Sequence, residues 1–258
     1  MLKVASWNVN SINIRKDQVL KFLEEKRPDF LLLQETKVER FPKESFQRLG
    51  YEVYHAGGKG RNGVAILSTE KAEDISVGFE ALLSNEQTKE RLIGCRFRDL
   101  YIFSVYVPNG APVGSDYYYY KLEFLYRLRE YLEKNFSPGD RIVIGGDFNV
   151  ALEPEDVYDP LLFEGQICFT ERERKAMSSL LDWGLVDAFR LLYPGKKRLF
   201  TWWDYQFSAF KKNLGMRLDY ILTTKPLAKH IKECEVDLKT RGLPRPSDHA
   251  PIIAVFDV

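Results

Sequence analysis

The chain of 258 residues has only three cysteines and three histidines. Cys95, Cys168 and Cys234 are odd in number and far apart, which argues against a disulfide framework and suits a reducing compartment. His55, His230 and His249 stand alone, and with no CxxC, HxxxH or HExxH pattern the spacing of a zinc site is missing. No apolar run approaches a membrane span, and no charged-then-apolar leader precedes the strand-like start MLKVASWNVN. A cytoplasmic protein without a membrane partner is expected. There is no Pro/Gly/Ser-rich linker, low-complexity tract or long repeat, so one domain over residues 1–258 is expected. Neither sign of charge dominates: 38 Lys and Arg face 37 Asp and Glu, for a net charge of +1. Bulk charge alone therefore does not mark a nucleic-acid binder. Basic residues do cluster locally, at Lys196-Lys197-Arg198, Lys211-Lys212 and Lys59-Gly60-Arg61.

What is present is the material of an α/β core, with 45% hydrophobic and 29% charged residues. Short runs rich in β-branched and aromatic residues read as strands at Lys3–Val9, Asp29–Gln34, Gly63–Ser68, Arg91–Phe97, Leu100–Val107, Arg141–Ile144, Leu218–Leu222 and Pro251–Val255. Helices are expected near Lys16–Lys26, Lys43–Leu49, Tyr117–Lys134 and Glu171–Trp183. The last carries its own boundaries, a Thr170/Glu173 capping-box pattern and Gly184 just beyond its end. Arg91–Phe97 and Leu100–Val107 are separated by a tight turn and should pair antiparallel. Tight turns between some strands and helices between others imply two mixed sheets packed together with helices outside.

Polar residues interrupt or end these apolar strands in a recurring way. Asn8 ends VASWNV, Glu35 ends FLLLQE, and Tyr106 sits near the end of YIFSVYVPNG. Asp147 and Asn149 follow RIVI through Gly145-Gly146, Asp219 lies in RLDYIL, and Asp248-His249 precede PIIAVF. Singly, each has an ordinary explanation as a loop cap or a surface ion pair. Together they can meet at one edge of a mixed sheet, where strand ends adjoin the starts of antiparallel neighbours. Several acids at an apolar edge are costly without a cation. Carboxylates and an amide oxygen are hard ligands, which suit Mg²⁺, with Mn²⁺ as the alternative. Glu35 and Asp248, helped by Asn8, meet the usual Mg²⁺ description.

The motifs SWNVNSI, LLQETK, KGRNGVAILS, YVPNG, GGDFNV, DWGLVDAFR, FTWWDY, GMRLDY and PSDHAPI occur in this order from about Lys3 to Phe256. In them the chain resembles the exonuclease III family of AP endonucleases, within the endonuclease/exonuclease/phosphatase superfamily. The strand-one Asn, QE, GDFN and SDH are superfamily-level signals; DWGLVDAFR and GMRLDY are narrower. The resemblance implies a four-layered α/β sandwich, in agreement with the strand and helix pattern. It also implies a Mg²⁺-dependent DNA-repair nuclease that cuts 5′ to abasic sites in duplex DNA, with 3′→5′ exonuclease and 3′-end-trimming activity.

Residue roles follow from the same resemblance. Asn8, Glu35 and Asp248 would hold the principal metal ion. Asp147 and Asn149 would line the other side of the scissile phosphate and, with His249, hold a second ion. Asp219 would orient His249, Tyr106 would contact the phosphate or position water, and Asn109 would be a nearby phosphate or backbone contact. Trp202, Met216 and Leu218 would line a pocket for a flipped-out, base-less sugar. Arg91 and the basic clusters would track phosphates. The chemistry suits these types: Asp147 can take a proton from water, Asn149 can donate hydrogen bonds but cannot take up a proton, and a charged His249 can donate to a phosphoryl oxygen. Whether Asp147 or a metal-bound hydroxide is the base stays open at this level.

The chain departs from the family's pattern in three places. Asn10 stands where some relatives carry an acid, which leaves the number of metal ions open. Met216 replaces a large aromatic of some members, and the tyrosine-rich segment NGAPVGSDYYYY is shorter than a DNA-contacting insertion in others. No extension of the kind some eukaryotic relatives carry is expected before the first strand. A monomer, nucleoid-associated in a prokaryote, is expected. Two other readings keep the fold: hydrolysis of a non-DNA phosphoester, and a DNA-binding module that has lost catalysis.

Overall fold

The computed structural model describes residues 1–79 and 86–258. In chain order its strands are β1 (Leu2–Asn8), β2 (Phe30–Gln34), β3 (Glu52–Gly58), β4 (Arg61–Ser68), β5 (Asp74–Val77), β6 (Leu92–Phe97) and β7 (Leu100–Tyr106). They continue as β8 (Arg141–Asp147), β9 (Leu185–Asp187), β10 (Trp202–Trp203), β11 (Gly215–Met216), β12 (Asp219–Thr224), β13 (Ile231–Val236) and β14 (Ile252–Phe256). One mixed sheet has the order β13-β14-β1-β2-β4-β3, the other β5-β6-β7-β8-β12-β9, and β10-β11 form a small ribbon.

The two-residue period of the strands decides the layering. Val4, Leu32 and Ile66 face inward and meet Ile102, Val143 and Ile221 of the other sheet in one core. Their neighbours Ala5, Leu31, Leu33 and Leu67 face outward, where Val19, Phe22 and Leu23 of helix Ile12–Lys26 cover them. On the far side Phe103, Val105, Ile142 and Ile144 pack against Phe124 and Leu128 of helix Asp116–Asn135 and Met177 and Leu180 of helix Glu171–Trp183. The result is helix, sheet, sheet, helix, the four-layered sandwich expected.

Helix Glu171–Trp183 keeps the expected bounds, because both halves of its Thr170/Glu173 capping box form and Gly184 adopts φ 134° after it. The first helix begins at Ile12, four residues before the expected Lys16. Its start is fixed from outside: the amides of Ser11 and Ile12 donate to the carbonyls of Glu35 and Thr36. β6 and β7 pair antiparallel, with Phe97 opposite Leu100 across a two-residue turn. β8 does not stop at Ile144 as expected but runs through Gly145 and Gly146 to Asp147. The glycines are required there. A Cβ on Gly146 would lie 2.0 Å from the carbonyl oxygen of Val105, and one on Gly145 would lie 2.5 Å from Leu32 Cδ1 of the facing sheet.

This topology gathers chain ends. The parallel pairs β1/β2 and β7/β8 finish at one end of the sandwich, and β12 begins there because it runs antiparallel to β8 with Asp219 opposite Asp147. The segment before β14 arrives at the same end, and its residue His249 bridges Trp202.

Candidate active site

Each polar residue is placed by a strand end. Asn8 closes β1, Glu35 follows β2 with φ 49°, and Tyr106 and Asp147 close β7 and β8 side by side in parallel register. Asn149 has φ 51°, a conformation asparagine tolerates better than most residues, and its backbone N–H donates to Asp147 Oδ1 at 3.0 Å.

The resulting centre is tightly connected. The Asn8 side-chain amide donates to Glu35 Oε1 and to Asp147 Oδ2, both at 2.9 Å, so its NH₂ rather than its oxygen faces the acids. The Asn8 oxygen is taken by the backbone N–H of Asn10. Asn149 Nδ2 donates to the Val107 carbonyl at 2.9 Å and lies 3.4 Å from Asp147 Oδ2. His249 Nδ1 is 2.8 Å from Asp219 Oδ2, and its Nε2 is 3.6 Å from Asp147 Oδ2. Ligand atoms of Glu35, Asp147 and His249 all lie within 4.8 Å of one another, a group able to hold a metal ion. Asp248 is outside this group yet lines the same cavity, with Oδ1 accepting from Asn10 and Oδ2 from the Trp202 indole.

Burial and like charge set the proton affinities. Burial pushes the Asp147 carboxyl up to about 7; Asp219 and Glu35 add to the rise, and His249 opposes it. Burial disfavours the His249 imidazolium, but the carboxylates of Asp219, Asp147 and Asp248 outweigh it and raise the ring to about 10. Tyr106 is held well above its ordinary range by burial and by the charges of Glu35 and Asp147, so it stays a neutral phenol. The set also contains an unanswered charge: Asp219 Oδ1 is buried without a hydrogen-bond partner. Four carboxylates (Glu35, Asp147, Asp219, Asp248) are matched nearby by the His249 ring and by Lys37, which is 3.1 Å from Glu35 Oε2. A divalent cation fits such a donor set.

Beside the acids opens a cavity of about 470 Å³. Glu35, Tyr106, Asn109, Asp147, Asn149, Asp248 and His249 form its polar wall, while Trp202, Met216, Phe163, Ile167, Phe207 and Leu214 are among the residues of its apolar part. Leu218 is not brought to this cavity. It is buried in a cluster with Val157, Phe169 and Met216, against which the cavity residues Trp202, Phe163 and Ile167 pack. Arg91 is not among the lining residues either: its guanidinium lies over the Tyr106 ring at 4.7 Å and reaches the Tyr106 carbonyl. Lys59, Arg61, Lys196, Lys197, Arg198, Lys211 and Lys212 are exposed.

Several supporting residues escape a reading of strand ends. Ser247 Oγ donates to the Asn8 carbonyl at 2.6 Å and accepts from the His249 N–H, which ties the last loop to the first strand. Thr201 Oγ1 accepts from the backbone of Leu218 and Asp219. Gln34 spans the sheets, donating to Ser6 Oγ and Ser104 Oγ. The signal for all three was their place inside the motifs PSDHAPI, FTWWDY and LLQETK.

The chain's relatives carry the same frame. A family model described as the Endonuclease/Exonuclease/phosphatase family matches residues 5–249. Exodeoxyribonuclease III of Haemophilus influenzae is 35% identical, the match covering 99% of this chain and all of that protein. A DNA-(apurinic or apyrimidinic site) endonuclease of Dictyostelium discoideum is 32% identical over 100% of this chain and 71% of its own length. Among solved structures, an AP endonuclease from Archaeoglobus fulgidus superposes with a TM-score of 0.96 at 43% identity, covering 100% of both chains. A 3′ phosphatase from Neisseria bound to a product DNA hairpin does so with a TM-score of 0.94 at 36% identity, again covering 100% of both.

Proposed function

The chain belongs to the endonuclease/exonuclease/phosphatase family, and from that premise we propose that it is a metal-dependent DNA-repair nuclease. It hydrolyses phosphodiesters 5′ to abasic sites in duplex DNA and trims 3′ ends. The observation that carries this reading is the union of an acid-rich centre with an apolar cavity in one wall-to-wall site. An abasic sugar presents little to hydrogen-bond, so apolar contact at Trp202 and Met216 suits it. The likeness to a 3′ phosphatase supports the end-trimming part.

Glu35 and Asp147, with Asp248 on the same cavity, would hold Mg²⁺, and Mn²⁺ would serve in its place. The ion supplies charge neutralisation for the phosphoryl oxygens and the departing oxygen. Asn8 acts as a clamp, keeping Glu35 and Asp147 together despite their like charge. Asp147 is suited to orient the attacking water; the proton affinity near neutrality that burial gives it belongs to the metal-free site and falls once a cation binds. Asn109, the charged His249 ring, and Asn149 through the Nδ2 hydrogen whose contact with Asp147 is long at 3.4 Å donate hydrogen bonds to the phosphate, and they matter most as negative charge builds on its oxygens. Asp219 holds the ring by Nδ1, leaving Nε2 as the donor toward substrate. The Tyr106 phenol, kept neutral, adds a further donor. His249 remains protonated in this scheme, so it stabilises charge and does not ligate the ion. Arg91 serves substrate by bracing Tyr106, and Leu218 by supporting Met216.

The chain acts as one catalytic unit over residues 1–258, as a monomer on duplex DNA. No helix among the described residues is long and apolar enough to cross a membrane; a cytoplasmic, nucleoid-associated enzyme is proposed. The test is a labelled duplex with one abasic analogue, and a second with a 3′ phosphate, each with Mg²⁺ or with EDTA. Mg²⁺-dependent nicking 5′ to the lesion is expected. Hydrolysis of small phosphoesters with neither duplex touched would overturn the substrate, and full cleavage in EDTA would overturn the metal.

A further inference from the structure

Lys121, on helix Asp116–Asn135, is the one lysine among the described residues that is wholly buried. An ammonium is rarely placed so unless its hydrogens are all accepted. Here they are: Nζ donates to the carbonyl of Asn109 at 2.9 Å, to the carbonyl of Asn149 at 2.6 Å, and to Glu173 Oε1. Glu173 cannot swing away, because Oε2 accepts from Thr170 N and Oγ1 while Oε1 also accepts from the Cys168 N–H. Gly110 makes room for the contact; a Cβ there would sit 2.8 Å from Lys121 Cδ.

The two carbonyls are not arbitrary. They belong to the two residues whose side-chain amides line the polar wall of the cavity, and Asn109 Nδ2 reaches Asn149 Oδ1 at 3.4 Å. A link between the two helices needs only the Lys121–Glu173 pair. The remaining two donors hold the backbone directly behind the amides, on segments 28 and 12 residues away in sequence.

We propose that Lys121, braced by Glu173, is a positioning residue for the hydrolytic step: through two backbone carbonyls it sets where the Asn109 and Asn149 amides point. It does not touch substrate. The activity part rests on the nuclease reading above. Donors misplaced by an ångström forfeit up to about a hundredfold in rate, and donors that act chiefly in the transition state affect kcat more than KM.

The test compares Lys121→Met with the double variant Lys121→Met/Glu173→Gln. The single variant strands a buried carboxylate and should melt earlier; the double variant leaves no buried charge and should regain most of that loss. If Lys121 only staples helices, kcat returns with stability. Positioning instead predicts that the double variant stays about tenfold to a hundredfold low in kcat, with KM for the abasic duplex within about threefold. A folded double variant with wild-type kcat overturns the proposal. A second readout needs no activity. The side-chain ¹H–¹⁵N signals of Asn109 and Asn149 should move in the double variant while those of Asn8 hold still, and unmoved Asn109 and Asn149 signals overturn it equally. A wild-type enzyme that cuts no DNA would sink the nuclease reading, and the amide signals would then decide the role of Lys121 alone.

Discussion

Two buried charge clusters lie within three residues of each other on the chain and are built on opposite plans. Arg217 has no exposed surface and meets Asp156 through Nε and Nη2 at 2.7 and 3.2 Å. It also stands 2.8 Å from Asp187, an ion pair without hydrogen-bond alignment, since both facing atoms lack a hydrogen-bond partner. Arg190 adds a second cation on Asp156 at 2.6 Å, and Asp187 caps the helix Ala188–Leu192. Two guanidiniums thus answer two carboxylates, with the rings of Phe189 and Tyr220 against Arg217. The second cluster, around Asp219 and His249, has acids in excess and one carboxylate oxygen left over. The balanced cluster is closed and holds the fold; the unbalanced one is open to a ligand of positive charge. Net charge within a buried group, rather than burial itself, separates the two roles.

The contrast can be broken in several ways. The largest effect is expected for Asp147→Asn, which removes an acid from the crowded side. Its kcat on an abasic duplex should drop about a thousandfold or more, while its melting temperature holds or rises. A variant that loses stability and keeps activity would reverse the assignment of roles. Arg217→Met does the opposite experiment by stranding Asp156 and Asp187. Removing one partner of a buried pair costs about 3–5 kcal/mol, readable as a lowered urea midpoint, and a loss under about 1 kcal/mol, the scale of a surface pair, would show the cluster is not structural.

Mg²⁺ should sharpen the difference further. At ten times its Kd it adds ~1.4 kcal/mol, or about 4 °C in Tm. Glu35→Gln should abolish that shift and Arg217→Met should leave it; an equal shift in Glu35→Gln would move the ion elsewhere. The last comparison concerns pH in metal-free protein. His249 is raised from 6.5 to about 10, so the folded state holds its proton more tightly than the unfolded state. Its contribution is complete below pH 6.5 and disappears as pH rises through about 10. Asp147, raised from 3.8 to about 7, also costs stability as pH rises, over that lower window. Denaturation midpoints should therefore fall from pH 7 to 10, and His249→Gln should flatten the decline; an unchanged slope would mean another group titrates.

The fold was most legible where local chemistry fixes an element by itself. Helix Glu171–Trp183 carries its cap and its stop within a few residues, and both form. Strands with both faces covered, such as β2 and β7, show as apolar runs. β5 and β13 are edge strands that did not: Ile75 and Val77 are exposed, and Lys232, Glu233 and Glu235 break the pattern of the other, so pairing defines them more than composition. In the site, the acids at strand ends could be named because strand ends are local. Ser247, Thr201 and Lys121 act through bonds that span many residues, as in the link of Ser247 to Asn8 across 239 positions. No local pattern reports such a link. Leu218 was placed in the pocket and is instead buried in the cluster behind its apolar residues, a distinction that only the folded sheet supplies.

The two glycines of β8 have a further consequence. Asn8 and Glu35 travel with one sheet, Tyr106, Asp147 and Asp219 with the other. At Gly145 the sheets approach too closely for a side chain, against Leu32 and Ser6. The separation of the carboxylates is therefore the thickness of the sandwich, read at its rim. A methyl group added or removed deep between the layers changes the bite offered to a cation many residues away, so catalytic tuning in this molecule is open to substitutions that never come near DNA.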